Sequence, residues 1–216
     1  YNFYLIIELM KKRKNHYIAV AGVMGAGKTT AARILSQELK LPLLEEKPHE
    51  NPFLELFYKD MPRWALHCQL FYLLQKIRQN IEAKNLLPQT SVVQDAPLGQ
   101  DMVYLETQKK LGGISKHEYD LILNTLEIYK PNILHGHPII VLDAPVDLLM
   151  QRLKERGREY EKEVPRDYIA TLSKFQNKWL SQYPKDKKII IPMDKVDLKE
   201  KRHRDAFVEM VKSRLL

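Results

Sequence analysis

The sequence predicts an α/β fold in which a five-stranded parallel sheet carries helices on both faces. Short β-branched and apolar runs alternate along the chain with longer segments of helical periodicity. Parallel strands need crossover connections, usually helices, and those helices cover both faces of the sheet. The chain has 216 residues, of which 44% are hydrophobic. It is therefore long enough to form one domain with a substantial core.

Five short runs predict the strands. They are rich in valine, isoleucine or leucine and are flanked by glycine, proline, asparagine or charged residues. The predicted strands are residues 16–22, 41–46, 91–95, 138–143 and 188–192.

The segments between the strands predict helices. Residues 29–39 have amphipathic spacing, and Asn51 and Pro52 supply an N-cap and a first-turn proline for the next helix. Ser115 and Glu118 have the spacing of a capping box. Further helices are predicted over residues 62–84, up to about residue 111, from residue 145, over residues 165–182 and at the end of the chain.

Residues 62–84 form the longest predicted helix. Its apolar positions follow one stripe, made of Leu66, Leu70, Leu73, Leu74, Ile77 and Ile81. Gln69 and Lys76 are seven residues apart and share a face beside that stripe. They either point into a cleft, where the Gln amide can pair with a nucleobase edge, or are solvated side chains. The single cysteine, Cys68, is expected in the helix core.

Residues 22–29, GVMGAGKT, match the phosphate-binding pattern GxxxxGK[ST]. They lie between a predicted strand and a predicted helix, which is the context of a P-loop NTPase-type fold. Backbone N–H groups and the helix N-terminus hold phosphate oxygens, Lys28 bridges the β- and γ-phosphates, and the Thr29 hydroxyl binds Mg²⁺. The residues expected to bind ATP here are Gly22, Gly25, Ala26, Gly27, Lys28, Thr29 and Thr30.

Acidic side chains end the second and third predicted strands. In an open parallel sheet, ligands bind outside the carboxyl ends of the strands. Glu45 or Glu46 can therefore accept the proton of an attacking hydroxyl, and Asp95 can hold the metal. Ordinary strand ends also carry acids, so each residue taken alone is equally consistent with a simple turn.

Arg152, Arg156 and Arg158 are clustered after the fourth predicted strand. Three guanidiniums near one helix end are ordinarily surface residues. Beside a P-loop they predict instead an arginine-rich lid, residues 154–165, that neutralises charge on a transferring phosphoryl group. Arg152 and Arg156 are expected to contact ATP, and Arg156 and Arg158 to assist catalysis.

Together these motifs resemble the deoxynucleoside kinase family over residues 17–192. Apart from the P-loop, the stretches that carry the resemblance are EEKPHENPFLELFYKD, RWALHCQLFYLLQKIR and RLKERGREYEKEVPRDYI, which begin at Glu45, Arg63 and Arg152. The resemblance implies ATP-dependent, Mg²⁺-assisted phosphorylation of the 5′-hydroxyl of a deoxynucleoside, with purines preferred. It also implies a homodimer.

The resemblance assigns the acceptor-side roles. Glu46 is the expected general base, and Glu45 takes that role if the register shifts by one residue. Tyr58 and Glu161 match the positions that hold the sugar 3′-hydroxyl, and Gln69 matches the glutamine that reads the base edge.

Two further positions bear on base preference. Asp101 and Lys76 fall where purine- and deoxycytidine-accepting relatives carry Asp and Arg. The lysine departs from the pattern because a point charge does not reproduce the planar fork of Arg.

The stretch after Asp95 also departs from the family pattern. The resemblance implies an acid followed by Arg and Ser, whereas this chain has Ala96 and Pro97. In the family that Arg contacts both the general base and the phosphate region. The absence of this arginine has three possible consequences. The enzyme is slow, another cation such as Arg63 or Lys47 takes the place of the arginine, or the enzyme accepts a different substrate.

Two other functions stay open from sequence alone. A nucleoside monophosphate kinase of the same fold needs a second phosphate pocket, and Ala96 removes a cation from that region. A catalytically weakened nucleotide-binding homologue with a structural or regulatory role is consistent with Ala96 and Pro97.

The net charge of +8 favours anionic partners. Part of it lies in residues 11–16 and 199–204, which are expected to be solvated surface. Charge alone does not indicate nucleic-acid binding, so small molecules are the expected partners, with neither nucleic acid nor membrane. The single cysteine and the lack of a long apolar run lead us to expect a cytoplasmic protein. We expect one kinase-like domain, residues 15–216, preceded by an extension, residues 1–14, of unassigned role.

Overall fold

A computed structural model describes residues 15–135 and 139–215, with side chains described through Arg214. The strands within these residues are β1 (Tyr17–Ala21), β2 (Leu43–Leu44), β3 (Val92–Asp95), β4 (Ile139–Asp143) and β5 (Lys188–Pro192). They pair in parallel in the order β2-β3-β1-β4-β5. The predicted parallel sheet is confirmed. The predicted extension, residues 1–14, and Pro138 of the predicted fourth strand lie outside the described residues.

Helices join the strands and cover the sheet. Within the described residues they are α1 (Lys28–Leu39), α2 (Leu54–Lys59), α3 (Met61–Leu86), α4 (Asp101–Lys110), α5 (Lys116–Tyr129), α6 (Val146–Arg156), α7 (Arg166–Leu180) and α8 (Lys201–Leu215). The Ser115–Glu118 capping box at the start of α5 is present as predicted. None of these helices is both long and apolar enough to cross a membrane.

β1 is the central strand, and all five of its residues are buried. It pairs with β3 on one side and β4 on the other, so its backbone groups are bonded on both sides. A strand that is covered on both faces needs no polar side chain, which explains the unbroken run YIAVA. β1 therefore delivers the P-loop to the carboxyl edge of the sheet, between the ends of β3 and β4.

β2 is much shorter than the predicted run of residues 41–46. It is an edge strand whose only ladder partner is β3, and the pairing ends after Leu44. Glu45 and Glu46 leave the ladder because their carboxylates pair with cations on α1 and α3. The predicted strand was therefore too long by two residues at each end, and Glu45 and Glu46 lie just beyond it.

The start of α2 also differs from the prediction. Asn51 does not cap the helix, which begins at Leu54 after Phe53. The Asn51 side chain instead accepts a hydrogen bond from the backbone N–H of Phe53 at 3.0 Å and donates one to Cys68 Sγ at 3.3 Å. Asn51 therefore shapes the turn before α2 and links that turn to α3. Cys68 is buried, as predicted.

The buried face of α3 is not the predicted apolar stripe. Leu73 is buried, but Leu74 and Ile81 are exposed. The buried positions instead include Gln69 and Lys76, which overturns the reading of both as solvated side chains. The complete set of buried positions is Ala65, Cys68, Gln69, Leu73, Lys76, Asn80 and Ala83. Lys76 on this face bonds to the ends of β2 and β3, so the helix buries this face although its apolar residues follow a different stripe.

β5 offers a direct test of the core. Ile189 is 2% exposed, whereas the next residue, Ile190, is 56% exposed. We expect Ile189→Ala to lower the free energy of unfolding by about 2 to 4 kcal/mol, because it leaves a cavity between the sheet and its helices. Ile190→Ala is the matched control and should change that energy by less than about 0.5 kcal/mol. Urea denaturation of both variants measures the difference, and equal losses would contradict the described packing.

Candidate active site

A cleft of about 1140 Å³ opens at the carboxyl edge of the sheet. Its walls come from the P-loop, the end of β2, helices α2 to α4, the segment after α6 and residues 193–200. The site therefore lies where an open parallel sheet places its ligands.

The P-loop curls around the start of α1. Gly25 and Gly27 have positive φ angles of 84° and 98°, which favour glycine. A Cβ atom on Gly25 would lie 3.0 Å from the carbonyl oxygen of Leu149, whereas one on Gly27 would meet no atom within 4 Å. Gly25 is therefore required by close packing on α6, and Gly27 by its backbone conformation. Lys28 Nζ donates to the carbonyl of Val23 at 3.4 Å.

Thr29 and Asp95 meet at the expected metal position. The Thr29 hydroxyl donates to Asp95 Oδ2 at 2.7 Å. Within the described part of the chain, the buried Oδ1 of Asp95 has no hydrogen-bond partner. Burial raises the pKa of Asp95, while Lys28 lowers it. A hydroxyl and an unshared carboxylate oxygen are the kinds of ligand that Mg²⁺ prefers, so these residues fit that ion.

Glu46 is held by a cation on α3. Lys76 Nζ lies 2.8 Å from Glu46 Oε2 and also donates to the backbone carbonyl of Asp95 at 3.0 Å. The Lys76 side chain is 2% exposed. Burial raises the pKa of Glu46, but the opposing effects of Lys76, Lys28 and Arg158 prevail, so its pKa is lowered overall.

The two acids after β2 point to different partners. Glu45 accepts a hydrogen bond from Arg33 Nε at 2.8 Å, on an exposed part of α1. Both glutamates line the cleft. The carboxylate of Glu46 is linked through Lys76 to the buried end of β3, whereas that of Glu45 pairs with Arg33, which supports the first of the two expected registers.

The cations considered as replacements for the family arginine have other contacts. Lys47 pairs with Glu50 at 3.0 Å, and Arg63 lies over the ring of Trp64. Among the ion pairs of the described residues, neither Lys47 nor Arg63 is a partner of Glu46. The cation that the structure brings to this carboxylate is Lys76.

Ala96 stands where the sequence resemblance implies an arginine. It is buried and has a positive φ of 55°, which is uncommon for a residue with a side chain. Its backbone N–H donates to the carbonyl of Val20 at 3.0 Å, which extends the pairing of β3 with β1 beyond the strand. The chain therefore turns sharply after Asp95.

Four expected acceptor-side residues line the same cleft: Tyr58, Gln69, Asp101 and Glu161. The Tyr58 ring stacks on Tyr160 with a centroid separation of 5.6 Å. Burial raises the pKa of Asp101 to about 6, with Lys76 acting in the opposite direction. Lys76 itself is not among the lining residues.

Helix α6 and the segment after it carry the three arginines of the predicted lid region. Arg156 Nε donates to Glu161 Oε2 at 2.8 Å, and Arg158 lies 3.3 Å from Glu161 Oε1. Arg152 instead donates to the carbonyls of Ala26 in the P-loop and Met193 after β5, at 3.2 and 3.1 Å. All three arginines line the cleft.

Sequence reasoning missed part of the wall. Residues 193–200 line the cleft together with His203 on α8, although residues 199–204 were expected to be plain surface. The signal was available, because this loop follows the last strand at its carboxyl end. Tyr72 and Tyr104 also line the cleft and were not singled out.

A family model described as deoxynucleoside kinase matches residues 18–216. The chain belongs to the deoxynucleoside kinase family. This confirms the family and the enzyme class expected from the P-loop and the three further stretches.

The curated relatives of this chain include several deoxynucleoside kinases. It is 29% identical to a deoxyadenosine/deoxycytidine kinase of Bacillus subtilis (strain 168), over 79% of both chains. It is 30% identical to a deoxyadenosine kinase of Lactobacillus acidophilus, over 83% of this chain and 86% of the relative. A deoxyguanosine kinase of Bacillus subtilis is 29% identical, over 72% and 74%.

Solved structures of relatives share the fold. Deoxyadenosine kinase from M. mycoides with bound dATP is 25% identical and has a TM-score of 0.78, covering 92% of this chain and 98% of its own. The same enzyme with the products dCMP and dCDP is 25% identical and has a TM-score of 0.79, covering 91% and 99%.

The raised pKa of Asp101 has a consequence for stability. A carboxyl whose folded pKa lies above its unfolded value of 3.8 stabilises the fold only while protonated, and this stabilisation is lost as the pH rises through about 6. An asparagine at this position does not titrate. We therefore expect the free energy of unfolding of Asp101→Asn, relative to that of the wild type, to rise by about 1 to 3 kcal/mol when the pH is raised from 4 to 7.5. Denaturant melts across this pH range measure the gain.

Asp120 supplies the matched control. It is exposed, and its hydrogen bond with Lys116 lowers its pKa, so Asp120→Asn should show no such gain with rising pH. A flat difference for Asp101→Asn would show that this carboxyl is not desolvated.

Proposed function

We propose that this protein transfers the γ-phosphoryl group of ATP to the 5′-hydroxyl of a deoxynucleoside, with purine deoxynucleosides preferred. The proposal is carried by one cleft that is lined both by the P-loop and by Glu46, Gln69 and Asp101. At about 1140 Å³ the cleft exceeds the space that one drug-sized ligand needs, which suits a donor and an acceptor together.

The donor side is assigned to the P-loop and the metal pair. Lys28 and the backbone N–H groups of residues 22–30 hold the phosphates of ATP. Thr29 and Asp95 hold Mg²⁺, as the unshared Asp95 Oδ1 supports. When bound, Mg²⁺ neutralises charge on the β- and γ-phosphates.

The acceptor side is assigned to Glu46 and its neighbours. Glu46 takes the proton of the 5′-hydroxyl while that oxygen attacks the γ-phosphorus and the bond to ADP breaks. The lowered pKa of Glu46 keeps it ionised at neutral pH, as a base must be. Tyr58 and Glu161 hold the sugar 3′-hydroxyl.

Base preference is assigned to Gln69 and Asp101. The Gln69 amide offers a donor and an acceptor to a nucleobase edge, and Asp101 adds a carboxyl beside it in the cleft wall. Names of the relatives, which include deoxyadenosine and deoxyguanosine kinases, support purines.

The segment of residues 154–165 is proposed to act as a lid. Arg156 and Arg158 share the carboxylate of Glu161, which is 3% exposed at its side chain. Because Glu161 holds both guanidiniums in place at the cleft, they can bind the negatively charged phosphates of ATP there.

The function is tested by transfer of labelled phosphate from ATP to the four deoxynucleosides and to their monophosphates. We expect transfer to purine deoxynucleosides at the 5′ position. Glu46→Gln should lower kcat about 10²- to 10⁴-fold because the proton acceptor is lost. Glu45→Gln is the adjacent control and should stay within about threefold of the wild type, since its carboxylate pairs with Arg33 at the surface.

Other outcomes have definite meanings. Transfer only to monophosphates would replace this proposal with a nucleoside monophosphate kinase. ATP binding that is lost in Lys28→Ala, without transfer by the wild type, would indicate a nucleotide-binding protein with a structural or regulatory role.

We also propose that the protein forms a homodimer through α3 and α5. Leu74 and Ile81, seven residues apart on α3, are 55% and 47% exposed. Leu121 and Ile128 have the same spacing on α5 and are 52% and 82% exposed. Exposed apolar rows of this kind suit a second copy of the chain, which would cover them.

The dimer is tested by charge placed on these rows. Ile128→Asp should shift the mass measured by sedimentation from that of two chains to that of one, because it buries a carboxylate in the interface. Ile190→Asp, at a similarly exposed isoleucine on β5, is the control and should leave the mass unchanged. A monomeric wild type would refute the dimer.

A further inference from the structure

We infer that Lys76 is the positioning residue of the general base, and that it supplies from α3 the cation that the family carries at the position of Ala96. The inference rests on the proposed function, in which Glu46 accepts the proton of the 5′-hydroxyl. It replaces the role in base recognition that the sequence resemblance implied for Lys76.

The contacts of Lys76 bridge two strand ends. Its Nζ atom lies 2.8 Å from Glu46 Oε2, beyond β2, and 3.0 Å from the carbonyl oxygen of Asp95, the last residue of β3. One ammonium therefore fixes the proposed base relative to the residue proposed to hold the metal. An ion pair that is also hydrogen-bonded to a backbone carbonyl has little freedom to rotate.

The surroundings hold Lys76 in this position. Gln94 Nε2 donates to the same Asp95 carbonyl at 3.1 Å and to Gln79 Oε1 at 2.9 Å. Gln79 in turn donates to the carbonyl of Glu45 at 2.8 Å. The two strand ends are thus joined by a partly buried layer of polar side chains, which meets α3 at Gln79, one helical turn from Lys76. Such a layer specifies one geometry because each broken bond leaves a buried polar group unpaired.

The placement of Lys76 disfavours direct contact with the nucleobase. Its side chain is 2% exposed and does not line the cleft, whereas Gln69, two helical turns earlier on the same face, does. A buried ammonium already bonded to a carboxylate and a carbonyl would have to break both contacts to reach a base.

Charged side chains from several elements surround Glu46 and affect its pKa. Lys28 approaches from the P-loop and Arg158 from the lid, and both lower the pKa of Glu46 together with Lys76. On the opposing side are Asp95 of β3 and Asp101 of α4, whose own pKa values Glu46 raises. The remaining titratable neighbours are Cys68, Tyr72 and Tyr104, each of which has a pKa raised in part by Glu46. Among these groups, Lys76 is the cation in ion-pair contact with Glu46.

Replacement of Lys76 by methionine tests the inference. With ATP and Mg²⁺, we expect Lys76→Met to lower kcat about 30- to 1,000-fold and by a similar factor for deoxyadenosine, deoxyguanosine and deoxycytidine. The KM for ATP should stay within about twofold. The loss should be uniform because the base is mispositioned for every acceptor. A loss that differs more than tenfold among the three nucleosides would assign Lys76 to base recognition and overturn the inference.

Two matched variants accompany it. Lys84→Met lies on the same helix, where Lys84 contacts Asn132 away from the cleft, and should retain wild-type kinetics. Lys76→Arg keeps the charge and should retain at least about tenfold more activity than Lys76→Gln, which keeps only hydrogen bonding. If Lys76→Met fails to fold in a thermal melt, the comparison of Arg with Gln carries the test. Equal activity of those two would overturn the inference.

The pH profile separates positioning from general damage. Lys76 is one of three cations that lower the pKa of Glu46 against the effect of burial. Its removal should therefore raise that pKa and move the acid limb of kcat/KM to higher pH in Lys76→Met. It should stay in place in Gln69→Ala. An unmoved limb in Lys76→Met would mean that the ion pair does not act on the base.

Ala96→Arg tests whether the site already contains the cation that an arginine at this position would supply. If Lys76 already supplies the cation, the added arginine should leave kcat unchanged or lower it, whereas a gain of tenfold or more would show that the site lacks one. A wild type that transfers no phosphate would refute the proposed function itself. An active wild type with a fully active Lys76→Met would refute only the role of Lys76.

Discussion

The parallel pairing of β1 with β3 is the constraint on which the site depends. The register sets Val20 of β1 opposite Asp95 of β3. Because the P-loop begins just after β1, this register brings Thr29 to within 2.7 Å of Asp95. A shift of the register by one residue would turn Asp95 to the opposite face of the sheet and away from the phosphate loop. The proposed metal pair is thus a product of backbone hydrogen bonds between two buried strands.

A second constraint is the burial of polar groups on α3. Gln69 and Lys76 face the sheet edge, while Leu74 and Ile81 face outward. A helix that buried only apolar residues here would have more hydrophobic contact with the sheet, but it would leave Glu46 without its cation. The buried charge of Lys76 is tolerated at this position because it is paired with Glu46 and hydrogen-bonded to the carbonyl of Asp95. The apolar rows that α3 then exposes are the surface assigned to a second chain.

Ala96 and Lys76 together bear on how the proposed general base obtains its neighbouring positive charge. A residue with positive φ follows Asp95, and its small side chain is buried in the turn. The charge near Glu46 comes instead from Lys76, twenty residues earlier in the chain. A positive charge beside an acid is an electrostatic requirement that several backbone positions can satisfy, provided that the ammonium reaches within hydrogen-bonding distance.

The sequence by itself determined the alternation of strands and helices along the chain, the P-loop, the family and the acids at the strand ends, because each is a local pattern of residue type and spacing. It did not determine where β2 stops, which face of α3 is buried, or that residues 193–200 complete the cleft. Nor did it show which cation meets Glu46: Arg63 and Lys47 were as plausible as any in sequence. These features depend on contacts between elements far apart in the chain, so only the tertiary structure decides them. Helix periodicity predicts which residues form an apolar face, but it does not predict the partners of buried polar residues.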